Sequence, residues 1–294
     1  MKNAECNPFK SPESREKFLR VYDEDAKAWP VQSESKMINT SYGNTYVRIS
    51  GPSDAPSLVL LHGMNSNSLM WLPNIEDLSK NYRTYAIDDI CGIGRSIDTK
   101  TIKDSNDFNN WLDELFNNLK LGNAINLVGM SYGGWQASQY ALNFPKKINK
   151  LVLLAPAATV LKTSSMFTIR AILSLIPSRY FLKSLIYWVM ADSVKKDEKA
   201  MEKTVNFMYL GSKCFKTRQP PAPTVLEDAE LKNIKIPVLY MVGENEKIYS
   251  PTKAVNRIKN VAPQIKTEIV PNAGHDLTSI QKNVINTKVL EFLE

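Results

Sequence analysis

Ser131 lies in the run Gly129-Met130-Ser131-Tyr132-Gly133-Gly134, a Gly-x-Ser-x-Gly pattern. Before it, Ala124 to Val128 is a short apolar run suited to a buried strand. After it, Trp135 to Phe144 has helical composition and stops at Pro145. A serine at such a strand-to-helix turn is lifted clear of the sheet, and small neighbours let the backbone bend. A serine hydroxyl is a poor nucleophile at neutral pH. It needs a base within hydrogen-bond reach, and the base needs a third group to hold its tautomer.

The chain offers only two histidines, His62 and His275. His62 follows an apolar run, directly precedes Gly63, and reads as structural. His275 sits in a Gly-His loop near the C-terminus, and the order serine, acid, late histidine occurs in triads of this kind. The acid is expected after the run Val238 to Val242, where Glu244 and Glu246 are candidates. Asp276 is a poorer third, because side chains adjacent in sequence diverge. An oxyanion formed on attack needs two backbone donors. The N–H of Tyr132, just after the serine, supplies one, and that of Met64, after His62-Gly63, the other.

The elements that must hold these residues follow from the hydrophobic pattern. Ser57 to Leu61, Tyr82 to Asp88, Lys150 to Pro156, Ile236 to Val242 and Lys266 to Val270 are apolar or β-prone runs that read as strands. Lys36 to Ser50 alternates around Tyr42-Gly43-Asn44 and reads as a hairpin. Helices are expected over Ser68 to Lys80, with Pro73 in the first turns, over Asp107 to Leu119, over Thr252 to Val261, and once more at the C-terminus. Residues 1 to about 35 read as a polar helical arm. Repeated strand-helix alternation implies an α/β fold with a mainly parallel sheet and helices on both faces. Ligands of such sheets bind beyond the strand C-termini, and every candidate residue above lies there. Between 157 and 230 the alternation stops in favour of apolar helices, ending in Gln219-Pro220-Pro221-Ala222-Pro223. The expected organisation is therefore a core in two parts, 1–156 and 231–294, with a helical cap at 157–230.

The 294 residues carry a formal charge of +7, but the lysines are scattered, without a dense basic run. Nucleic acid is thus not an expected partner. Cys6, Cys91 and Cys214 are widely spaced and odd in number, which fits free thiols in a reducing compartment. The N-terminus is too charged for a secretory leader, so a cytoplasmic location is expected. The apolar stretch Met166 to Met190 is interrupted by Arg170, Pro177, Arg179 and Lys183. It reads as a pair of amphipathic helices rather than a span, and no stable membrane insertion is expected. No His or Cys pair has metal-ligand spacing, so no metal is expected.

Together, His62-Gly63, the loop Gly92-x-Gly94-x-Ser96, the Ser131 motif, Gly243-Glu244-Asn245-Glu246 and Gly274-His275 resemble the α/β-hydrolase superfamily. More narrowly, Trp29-Pro30, Leu60-Leu61-His62-Gly63, Trp71 with Pro73-Asn74-Ile75, Tyr82 to Ala86, Gly243-Glu244-x-Glu246-x-Ile248-Tyr249 and Asn272 to His275 resemble bacillus-type carboxylesterases. The resemblance covers nearly the whole chain and is weakest between 157 and 230. It implies a serine carboxylic-ester hydrolase acting through an acyl-enzyme on a small-molecule ester, with Ser131, Glu246 and His275 as triad. It implies no cofactor. Alternatives on the same fold are C–C bond, lactone or peptide hydrolysis, or a non-catalytic small-molecule receptor. Apolar side chains of the cap, Ile172 and Trp188 among them, are expected to wall an acyl pocket.

Overall fold

Residues 7–294 are described by the structure, a computed structural model. Cys6 and the first residues of the expected arm lie outside the described residues. The arm itself is helix α1 (Pro12–Ala26), with Ser11 accepting the Ser14 N–H as its cap. Its Phe18 and Tyr22 are fully buried, and the Tyr22 hydroxyl donates to the buried Asp88 carboxylate at 3.1 Å.

The chain then forms the hairpin β1 (Ser33–Thr40) and β2 (Gly43–Ser50), followed by β3 (Ser57–Leu61), α2 (Ile75–Asn81), β4 (Arg83–Ile87), β5 (Ile97–Asp98) and α3 (Ser105–Asn118). Next come β6 (Ile125–Met130), α4 (Tyr132–Asn143) and β7 (Ile148–Leu154). A helical insertion follows, α5 (Ser165–Ser174), α6 (Arg179–Val189), α7 (Ala191–Lys196) and α8 (Glu198–Cys214). The chain closes with α9 (Asp228–Asn233), β8 (Val238–Gly243), α10 (Pro251–Val261), β9 (Lys266–Val270), α11 (Leu277–Ile280) and α12 (Lys282–Leu293).

All nine strands join one sheet in the order β1-β2-β4-β3-β6-β7-β8-β9, with β5 on the side of β2. From β4 to β9 every pairing is parallel, and the β1–β2–β4 edge is antiparallel. Successive residues of one strand serve opposite cores. Val59 and Leu61 pack with Trp111 of α3 and Trp135 of α4, while Leu58 and Leu60 pack with Ile75 of α2 and Ile285 of α12. Covered on both faces, such strands read as continuous apolar runs.

Three local departures from the sequence pattern have physical causes. The helix expected over Ser68 to Lys80 is split. Pro73 has no N–H to give, and Leu72 and Asn74 bond back three residues, to Leu69 and Trp71, at 3.1 and 2.9 Å. Regular helix starts only at Ile75. The C-terminal helix is two, α11 and α12, broken at Gln281, whose φ and ψ of −113° and 39° are not helical. Strand β5 has only two residues, too few to show a period, and exists by pairing with Gly43 and Asn44. No described helix is long and apolar enough to cross a membrane.

Candidate active site

β6 ends at Met130 and α4 begins at Tyr132, so Ser131 alone makes the turn. Its φ and ψ are 54° and −116°, a conformation that a residue with a side chain holds only when its surroundings enforce it. Those surroundings are tight. The Ser131 N–H donates to the Leu154 carbonyl of β7 at 2.9 Å. A Cβ at Gly129 would come within 2.2 Å of the Gly133 oxygen, and one at Gly133 within 2.4 Å of the Leu61 oxygen. The glycines of the motif therefore let β6, α4 and the end of β3 close on one another, and the serine is what protrudes.

His275 arrives from the loop after β9. Its Nε2 is 2.8 Å from Ser131 Oγ, and its Nδ1 is 2.7 Å from Glu246 Oε2. Glu246 comes from the loop after β8, and its side chain is fully buried. Its other oxygen accepts the Lys247 and Ile248 N–H groups at 2.9 and 2.8 Å. A carboxylate held so can only accept, so Nδ1 carries the proton and Nε2 presents its lone pair to the serine hydroxyl. Burial works against the imidazolium. The charge and hydrogen bond of Glu246, with the charge of Asp276, outweigh it, and the His275 pKa lies above the usual histidine value.

The other acid candidates make no hydrogen bond to the imidazole, although the charge of Asp276 also helps to raise the His275 pKa. Glu244 is exposed and accepts the Asn272 N–H at 3.2 Å. Asp276 is buried but turns away from its neighbour, and its Oδ2 accepts the Ser193 N–H of α7 at 2.6 Å. Its Oδ1 has no hydrogen-bond partner among the described residues. His62 is buried at the foot of the other loop. Its Nε2 accepts the Asp89 N–H at 2.9 Å, which leaves Nδ1 to donate to the Gly63 carbonyl at 2.7 Å. It ties the Gly63–Met64 turn to the loop after β4.

That turn stands against the serine, since a Cβ on Gly63 would lie 3.4 Å from Ser131 Cβ. Tyr132 opens α4, so its N–H has no acceptor within the helix. Neither it nor the Met64 N–H donates to a protein acceptor outside the helices and strands among the described residues. No three His, Cys, Asp or Glu side chains converge as metal ligands among the described residues.

The insertion touches this site at points the sequence pattern did not single out. Ser164, the cap of α5, donates its N–H to the Ile248 carbonyl at 2.6 Å. Asp192 accepts from the Asn245 amide at 2.9 Å, and Ser193 donates to Asp276 as above. A cavity of about 300 Å³ lies at this junction, lined by Asp192, Lys195, Asn245, Glu246, Lys247 and Gly274. Pairs 53 and 83 residues apart carry no local signal, which is why they were not legible. The expected acyl-pocket wall is corrected in one respect. Trp188 is half-buried, with the Arg170 and Lys247 cations over its ring at 5.4 and 5.8 Å, but Ile172 is 60% exposed and faces outward.

Residues 56–189 match the family described as alpha/beta hydrolase fold. The chain is similar to the uncharacterized carboxylesterase nap of Bacillus subtilis, 35% identical over 94% of this chain and 92% of that protein. It is similar to carboxylesterase YbfK of Bacillus subtilis, 34% identical over 97% of this chain and 96% of that one. The crystal structure of carboxylesterase CesB (YbfK) from that organism superposes with a TM-score of 0.86 at 32% identity, covering 96% of this chain and 98% of the other.

Proposed function

Because the chain belongs to the α/β-hydrolase fold family, and is similar along nearly its whole length to carboxylesterases, we propose that it is a serine carboxylesterase working through an acyl-enzyme. The observation that carries this function is the hydrogen-bonded line from Ser131 through His275 to Glu246, at 2.8 and 2.7 Å. Ser131 Oγ attacks the ester carbonyl while His275 Nε2 takes its proton. The carbonyl oxygen becomes an oxyanion against the Met64 and Tyr132 N–H groups. As the tetrahedral intermediate collapses, His275 gives the proton to the departing alkoxide, and an ester of Ser131 remains. Water then attacks that ester with His275 as base, and the acid product leaves with Ser131 restored. Glu246 keeps the imidazole in the productive tautomer and balances the imidazolium.

On this function the insertion acts as a cap, since Ser164, Asp192 and Ser193 fasten it to the loops of Glu246 and His275. Turnover of p-nitrophenyl acetate tests the proposal directly. A fluorophosphonate should label the protein once, at Ser131, and Ser131→Ala should abolish both labelling and turnover. Labelling that survives in folded Ser131→Ala would overturn the assignment.

A further inference from the structure

The outer face of the insertion is apolar. Seven of the ten large hydrophobic side chains exposed among the described residues fall between Met166 and Tyr180, on α5, the α5–α6 turn and the start of α6. Ile169, Ile172 and Leu173 share one face of α5 at helical spacing, and that face is the exposed one. The half-buried face carries Phe167, Arg170, Ala171 and Ser174 instead. Leu175 in the turn is 81% exposed and Tyr180 75%. An exposed apolar patch of this density on one element marks an interaction surface.

The charges of the segment itself have one sign. From Pro156 to Ala191 the charged residues are Lys162, Arg170, Arg179 and Lys183, and there is no Asp or Glu. Lys213 of α8 adds a cation at the turn, 3.3 Å from the Pro177 carbonyl. Glu202 pairs with Arg179 and Lys183, and Arg170 turns inward to Ser184 and the Trp188 ring, which leaves the exposed Lys162 and Lys213 uncompensated by any acid of the segment. A second copy of this chain is a poor occupant. Isologous pairing lays a patch on itself, which would set cation against cation. An anionic surface with an apolar interior matches both properties.

We propose that the α5–α6 face docks on the surface of an anionic lipid bilayer. α5 has ten residues, too short to span; it lies in the interface with Ile169, Ile172 and Leu175 in the acyl boundary and the cations at the headgroups. Ser164 at the start of α5 is bonded to Ile248, two residues beyond Glu246, so docking brings the lipid surface to the site's own loops. Docking does not depend on the esterase function, and is read without turnover.

Flotation of the purified chain with phosphatidylcholine vesicles, with and without phosphatidylglycerol, tests this. Binding is expected to the phosphatidylglycerol vesicles, with weaker binding to phosphatidylcholine alone, and is expected to fall as salt rises. Ile169→Ser/Leu175→Ser should weaken it by about tenfold or more, as two exposed side chains lose their apolar burial. Lys162→Glu/Lys213→Glu should remove the preference for phosphatidylglycerol. All four positions are exposed, and an unchanged Tm for each variant establishes that the fold is intact. Absence of flotation, equal binding to both vesicles, or full binding by the serine variant overturns the proposal. So does a wild-type dimer in sedimentation velocity that the serine variant splits to monomers, because the patch is then covered by a second copy.

Discussion

Glu246 reaches His275 with one oxygen while its other oxygen is occupied by two backbone N–H groups of its own loop, Lys247 and Ile248. The carboxylate is thus fixed in direction before it meets the imidazole. An isosteric amide keeps the volume, but it loses the charge, and one of its ends must face donors with an NH₂. Glu246→Gln is expected to lower kcat by about 10²–10⁴-fold, the upper end being the loss known for the equivalent Asp→Asn change in a serine-protease triad. Glu244→Gln should stay within about tenfold of wild type, because that side chain is exposed and touches only the Asn272 N–H. Steady-state kinetics on one aryl ester decide between them. Near-normal kcat in folded Glu246→Gln removes Glu246 from the triad.

The same contact sets the pH profile. Burial lowers the His275 pKa, and Glu246 together with Asp276 raises it by more. The base works only when neutral, so kcat/KM should rise with pH through a midpoint above the ordinary histidine value of about 6.5. In Glu246→Gln the larger raising charge is gone, while burial and the smaller raising effect of Asp276 remain, so the surviving activity should show its acid limb at lower pH. A limb that stays in place in the variant would mean that another group controls it.

His62 is expected to behave differently from His275. It bridges the Asp89 N–H and the Gly63 carbonyl and holds the turn that carries Met64. His62→Ala should reduce kcat by up to about 10²-fold, less than or near the loss of one oxyanion donor. Because His62 moves no proton in the reaction, the acid limb of the profile should remain where wild type has it. A shifted limb would make His62, not His275, the titrating base.

Packing at the serine turn gives a stability prediction. Gly133→Ala would drive a methyl to 2.4 Å from the Leu61 carbonyl oxygen and 2.6 Å from that of His62. Backbone on both sides leaves nothing flexible to yield. A loss of about 3 kcal/mol or more is expected, at or beyond ordinary overpacking, measurable by urea denaturation. Gly122→Ala serves as the contrast, since a Cβ there meets no atom within 4 Å, and only its φ of 73° is unfavourable.

How far the sequence revealed the fold depended on the range of the signal. Leu58 to Leu61 read as a buried strand because both of its faces are covered, and that is a local pattern. The Ser131 turn was legible for the same reason: its glycines and its strand lie within a few residues. The acid was not fixed locally. Glu244, Glu246 and Asp276 all sit in suitable loops. Glu244 differs in being exposed, and the two buried carboxylates, Glu246 and Asp276, differ in direction, which arises only when β8 and β9 pair. Helical spacing also disclosed that α5 has an apolar face without disclosing which way that face points. Ile172 was therefore assigned to a pocket and found in the open.

Asp276 supplies the last test, because it adjoins the base yet serves the insertion. Its Oδ2 takes the Ser193 N–H at 2.6 Å, and the residue is 1% exposed. Removing a buried acceptor leaves that N–H without a partner, at a cost of about 1–3 kcal/mol. Asp276→Ala should therefore lower Tm. Asp276→Asn retains an oxygen for Ser193 and should keep most of the wild-type stability. The carboxylate makes no hydrogen bond to the imidazole, so both variants should hold kcat on p-nitrophenyl acetate within about tenfold, the scale of a supporting rather than a reacting group. Loss of α7 anchoring should instead appear with bulky acyl esters, as a rise in KM greater for Asp276→Ala than for Asp276→Asn. If Asp276→Asn loses activity as Glu246→Gln does while its Tm is unchanged, Asp276 acts on His275 and not on the insertion.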